Sequence, residues 1–93
     1  MKKAVVIIRK NIRELERGKC YYWRSAEFAR KSYTISALYN MLEYLSAHKD
    51  IPEMMALEQF KTKMNEYACI NPNASYIYSI AYDTTEYIID QLL

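Results

Sequence analysis

The segment Ser25-Ala-Glu-Phe-Ala-Arg-Lys-Ser-Tyr-Thr-Ile-Ser-Ala-Leu-Tyr-Asn-Met-Leu-Glu-Tyr-Leu-Ser-Ala47 decides the architecture. Phe28, Ile35 and Leu42 recur every seven residues, as do Leu38 and Leu45. A second stripe runs Tyr33, Ala37, Met41 and Tyr44. Spacings of three, four and seven bring side chains to one side of a helix. Ser25 has the side chain of an N-cap. No charged residue falls between Lys31 and Glu43. A helix apolar on two sides, with Ser32, Ser36 and Asn40 as a thin polar edge, is either central or covered by a partner. Its main buried stripe is expected to be Phe28, Ile35, Leu38, Leu42 and Leu45.

The flanking segments have the same period. Upstream, Val5, Ile8, Ile12 and Leu15 share one side of a helix over Lys2 to Arg17, and Arg9, Arg13 and Arg17 share another. Gly18 then suits the left-handed position that ends many helices. Ala4 to Ile8 is apolar all round, so a short opening strand is the alternative there. Downstream, Asp50-Ile-Pro-Glu53 resembles a capping box, with Asp50 as cap and Pro52 in the first turn. Leu57, Phe60, Met64 and Tyr67 follow on one side. After the Asn71-Pro-Asn73 break, Ile77, Ile80, Thr84, Tyr87 and Ile88 make a fourth stripe, widened by Tyr78, Tyr82 and Ile89. Ser79, Asp83, Glu86 and Asp90 form its polar edge, which favours helix over a strand at Tyr76 to Ala81.

Four helices joined by short connections predict an all-α bundle with antiparallel neighbours, a single domain over residues 1–93. One glycine and two prolines leave little punctuation for a turn-rich β fold. The longest apolar run, Ala4 to Ile8, is far below the ~20 residues of a membrane span. It is also too short for a secretory leader. These features predict a soluble cytoplasmic protein. Cys20 and Cys69 are too few for a disulfide framework and lack zinc-site companions, so they are expected to be free and semi-buried.

Charge is unevenly distributed. Residues 1–31 hold ten basic and three acidic side chains, a net +7, while residues 32–93 hold three basic and eight acidic, a net −5. The basic third either meets an anionic partner or is neutralised by the acidic fourth helix, within or between chains.

The densest local chemistry is Arg17-Gly-Lys-Cys-Tyr-Tyr-Trp-Arg24, continuing to Arg30. Arg17, Lys19, Tyr21, Tyr22, Trp23, Arg24 and Arg30 are the candidate binding residues. Tryptophan, tyrosine and arginine dominate protein contact sites, and aromatics among cations also stack unpaired bases. The structural alternative is that Tyr21 to Trp23 fold back and plug the bundle. Ten tyrosines likewise suit either interfaces or a wet bundle rim. The acidic edge Asp83, Glu86, Asp90 is a weak candidate for a cation, more simply read as a solvated side of a helix. His48, the only histidine, suits a helix C-terminus. No phosphate loop, nucleophile elbow or paired-cysteine motif is present. The expectation is therefore a non-enzymatic interaction module, without cofactor or small-molecule substrate, that self-associates or docks on a protein. The alternative is a nucleic-acid-binding accessory protein using residues 1–31. A basic first helix touching an anionic membrane surface is weakened by Glu14 and Glu16.

Overall fold

The computed structural model describes residues 2–18 and 20–93. Four α-helices follow one another: α1 Lys3–Arg17, α2 Ala26–Ala47, α3 Glu53–Ile70 and α4 Ser75–Leu92. A 3-10 turn, Pro72–Ala74, joins the last two. The described residues contain no strand, so Ala4 to Ile8 and Tyr76 to Ala81 are helical. The all-α bundle expected from the periodicities is the fold.

The helices run up, down, up, down. Val5 and Arg9 of α1 lie against Leu42 and Leu45 of α2, while Leu15 lies near Thr34. Tyr44 of α2 meets Phe60 of α3 edge-on at 5.6 Å between ring centroids. Sequential neighbours are therefore antiparallel, as short connections require. The cross-section is not square, however. α2 and α4 pack more extensively than α2 with α3 or α1 with α4. They run parallel, with Tyr33 meeting Tyr76 and Leu38 flanking the same groove as Thr84. α1 and α3 are left at opposite edges, and the molecule measures 40 × 33 × 21 Å. Every helix buries an alanine, namely Ala4, Ala37, Ala56 and Ala81, and side chains this small let helix backbones approach closely.

Ile8, Leu38, Met41, Leu57 and Ile88 form the centre of the core, each fully buried. On α2 the buried line is Ala37, Leu38, Met41 and Leu45, a blend of the two expected stripes. Ile35 and Leu42 are half-buried, and Phe28 is exposed at 39%. Phe28 lies in the first turn of α2. On α4 the buried arc is Ile80, Ala81, Thr84, Thr85, Ile88 and Ile89, while Ile77 and Tyr87 are exposed. The two buried hydroxyls are satisfied locally, Thr84 Oγ1 donating to the Ile80 carbonyl and Thr85 Oγ1 to the Ala81 carbonyl, both at 2.7 Å.

Several helix ends differ from expectation. Gly18 has φ −73° and ψ −170°, not the left-handed conformation; its N–H still donates to the Leu15 carbonyl at 3.3 Å. Asp50 caps nothing, and α3 starts from Pro52 without a side-chain cap. Glu53 reaches across the bundle instead, its Oε1 accepting from the Ala4 N–H at 3.1 Å. One carboxylate therefore sits between the positive ends of α1 and α3, which point the same way. α1 has no side-chain cap of its own, so Glu53 supplies one. Both cysteines are exposed rather than semi-buried.

Candidate functional site

Ser25 builds the most prominent surface feature. Its N–H donates to the Tyr22 carbonyl at 2.9 Å, and its Oγ donates to the same carbonyl at 2.7 Å. That Oγ also accepts from the Phe28 N–H at 3.1 Å, capping α2. A tight turn over Tyr22–Ser25 results, with Trp23 and Arg24 at its two central positions. Side chains there point away from the protein. Trp23 is 60% exposed and Tyr22 68%. The Arg24 guanidinium carbon stands 4.4 Å from the Trp23 ring centroid, a cation–π contact that holds both groups outward. The Tyr22 ring lies 6.3 Å away at a 47° tilt. The segment does not plug the bundle.

Behind the turn runs a groove between α1, α2 and α4. Two adjoining cavities of about 390 and 400 Å³ share Glu14, Leu15, Arg30 and Thr34 in their walls. Tyr21 and Gly18 border the near cavity; Leu38, Asp83 and Tyr87 border the far one. The candidate residues therefore separate. Tyr22, Trp23 and Arg24 form the turn, Tyr21 and Arg30 face the groove, and Arg17 is exposed at the end of α1. Lys19 lies outside the described residues.

Further exposed apolar side chains occupy the same end of the bundle. The turn follows α1, and Tyr33 of α2 meets Tyr76 of α4 edge-on at 6.1 Å. Tyr67 contacts Tyr78 at 5.5 Å. Ile70, 72% exposed, Tyr76 and Ile77 project from the α3–α4 connection. Ile77 fits the apolar stripe of the fourth segment yet is exposed, and Ile70 lies outside the stripe of the third. The up-down topology was the available signal, because it brings residues 67–78 to the end that holds residues 18–28.

Groups suited to chemistry do not converge. His48 Nδ1–H donates to the Tyr44 carbonyl at 2.9 Å, and its ring stacks on Tyr44 at 4.0 Å, which gives the histidine a structural place. Among the described residues, no three histidine, cysteine, aspartate or glutamate side chains could hold a metal, so Asp83, Glu86 and Asp90 stay an exposed edge. Nor does any carboxylate of α4 pair with a cation of α1 among those residues; the ion pair formed is Lys61 with Glu58, at 3.5 Å within α3. No helix among them is long and apolar enough to cross a membrane. Comparison with known protein families, characterised proteins and solved structures finds no match.

Proposed function

We propose that the chain is a non-enzymatic interaction module that self-associates, or docks on a protein partner, through the end carrying Trp23. The observation that carries this reading is the outward tryptophan stacked under Arg24 at the tip of a hydrogen-bonded turn. Leaving a large aromatic in water forgoes roughly 1.5–3 kcal/mol of burial. A turn that holds Trp23, Tyr22 and Arg24 outward, at the same end of the bundle as the exposed Phe28, Ile70 and Tyr76, presents the residue types that anchor protein contacts. The apolar end offers the buried centre of an interface, and Arg17, Arg24 and Arg30 its cationic rim.

Sedimentation velocity from low to high micromolar concentration tests the self-associating form. The expected result is a mass that rises with concentration and falls back to monomer in Trp23→Ala. Changing Arg17, Lys19 and Arg24 together to alanine should weaken association with the melting temperature nearly unchanged. A monomer throughout, at both low and high salt, would remove self-association. A triple variant that loses thermal stability but keeps its binding would show the segment to be structural.

A further inference from the structure

α1 presents a second surface, of different chemistry from the aromatic end. Its apolar side is spent on the core through Ala4, Ile8 and Ile12. The side facing away holds Lys2 at the cap, then Lys3, Arg9, Lys10, Arg13 and Arg17, all exposed. At 3.6 residues per turn these six fall within an outward arc of about 120°, interrupted only by Val6. Glu14 and Glu16 fall at the two margins of that arc, outside it. Among the described residues, no carboxylate pairs with any of the six. Like charges three and four residues apart repel one another along a helix. An array of cations with no ion pair formed to any of them matches an external polyanion.

The shape narrows the partner. α1 lies at one edge of the flat bundle, packed mainly on α2 and α4, so its outer half stands clear. An α-helix with its side chains is about 10–12 Å across, and the major groove of B-form DNA is about 12 Å wide. Cations on both flanks of the arc, Lys2 and Arg9 on one and Lys3 and Lys10 on the other, face the two phosphate strands that border such a groove. The deep, narrow major groove of A-form RNA does not admit a helix. An acidic helix is the other polyanion at hand, but the α4 edge of a second copy offers only Asp83, Glu86 and Asp90 against six cations. The apolar side of α1 is already buried, which leaves Val6 alone on the outward arc to enter a lipid surface.

We infer that α1 binds duplex DNA by its phosphate backbone, lying in or along the major groove without strong sequence preference. The outward arc holds Lys, Arg and a single Val: cations that position a protein on phosphates, with only guanine open to them among the bases and no asparagine or glutamine to read adenine. This goes beyond the docking role of the Trp23 end and stands on different residues.

The test is fluorescence anisotropy with a labelled duplex of mixed sequence, the same sequence as duplex RNA, and the single strand. If most of the six cations engage phosphates, duplex DNA affinity falls roughly 10³-fold between about 50 and 200 mM salt. Changing Arg9, Lys10 and Arg13 together to alanine lowers the slope of log affinity against log salt by about three, one for each lost contact. The Arg9→Lys/Arg13→Lys protein keeps the slope, because a point charge suffices for phosphate. Circular dichroism establishes that each variant remains helical. Trp23→Ala leaves duplex affinity unchanged, so this inference and the docking role fail separately. No duplex binding at low salt, equal affinity for RNA duplex or single strand, or an unchanged slope in the triple variant would overturn the inference. Preference for polyglutamate over DNA would overturn it too, assigning the face to an acidic protein.

Discussion

Replacing Glu53 with alanine removes a contact between residues 49 apart in sequence, the Ala4 N–H to Glu53 Oε1 bond of 3.1 Å. Three contributions set the size of the effect. The Ala4 amide loses its side-chain acceptor, and loss of an N-cap acceptor typically costs about 1 kcal/mol. The carboxylate also neutralises the facing positive ends of α1 and α3, worth about 0.3–1 kcal/mol at each end. Against these, Glu53 Oε2 is buried with no hydrogen-bond partner, an existing penalty that alanine relieves. With that relief at about 1 kcal/mol, the balance is a loss of about 0.5–2 kcal/mol, or about 2–16 °C in melting temperature for a domain of this size. Glu53→Gln keeps an acceptor and loses the charge, so it should fall between the wild type and alanine. Thermal denaturation gives the magnitude, and amide hydrogen exchange at Ala4 gives the location. A melting temperature lowered by less than about 1 °C, with unchanged exchange at Ala4, would refute the cap.

Leu38→Ala should destabilise by about 2–5 kcal/mol in chemical denaturation, and Leu42→Ala by clearly less, because Leu38 is fully buried and Leu42 only half-buried. Equal losses would mean that α2 is rotated. Thr85→Val should be tolerated to within about 1 kcal/mol by the same measurement, since valine matches the shape and the Ala81 carbonyl remains in the helix ladder. Cys20 and Cys69 should both react with a thiol reagent in the native protein at the rate of the unfolded chain, because both are exposed; protection of either one would count against its placement.

Helix number and type were legible because each segment carries its own period, and local spacing is what a sequence displays. Position around each helix was less so. Phe28 fits the seven-residue repeat of Ile35 and Leu42, but a repeat cannot show where a neighbouring helix ends. α4 turns Ala81 and Thr85 inward in place of Ile77 and Tyr87, because a helix packed among three others needs small side chains at its closest approaches. The Glu53 cap was illegible for another reason: the pattern Asp50 to Glu53 predicts a local bond, and the actual acceptor role depends on α1 arriving from elsewhere in the chain. The candidate turn was found by composition alone. Its outward direction rests on the two roles of the Ser25 hydroxyl, of which only the cap was anticipated.

The central place of α4 bears on synthesis. It makes the two most extensive helix–helix packings among the described residues, on α3 and on α2, and it is the last of the four to leave the ribosome. While residues 1–74 are out and residues 75–92 are still in the exit tunnel, α2 and α3 have nothing over the surfaces that Ile80, Thr84 and Ile88 later cover. The antiparallel pairing of α1 with α2 can form early, but the shared core cannot close. Folding of this chain is thus held back until translation has passed α4, and a product truncated before Ser75 would present its widest apolar surface to chaperones and proteases.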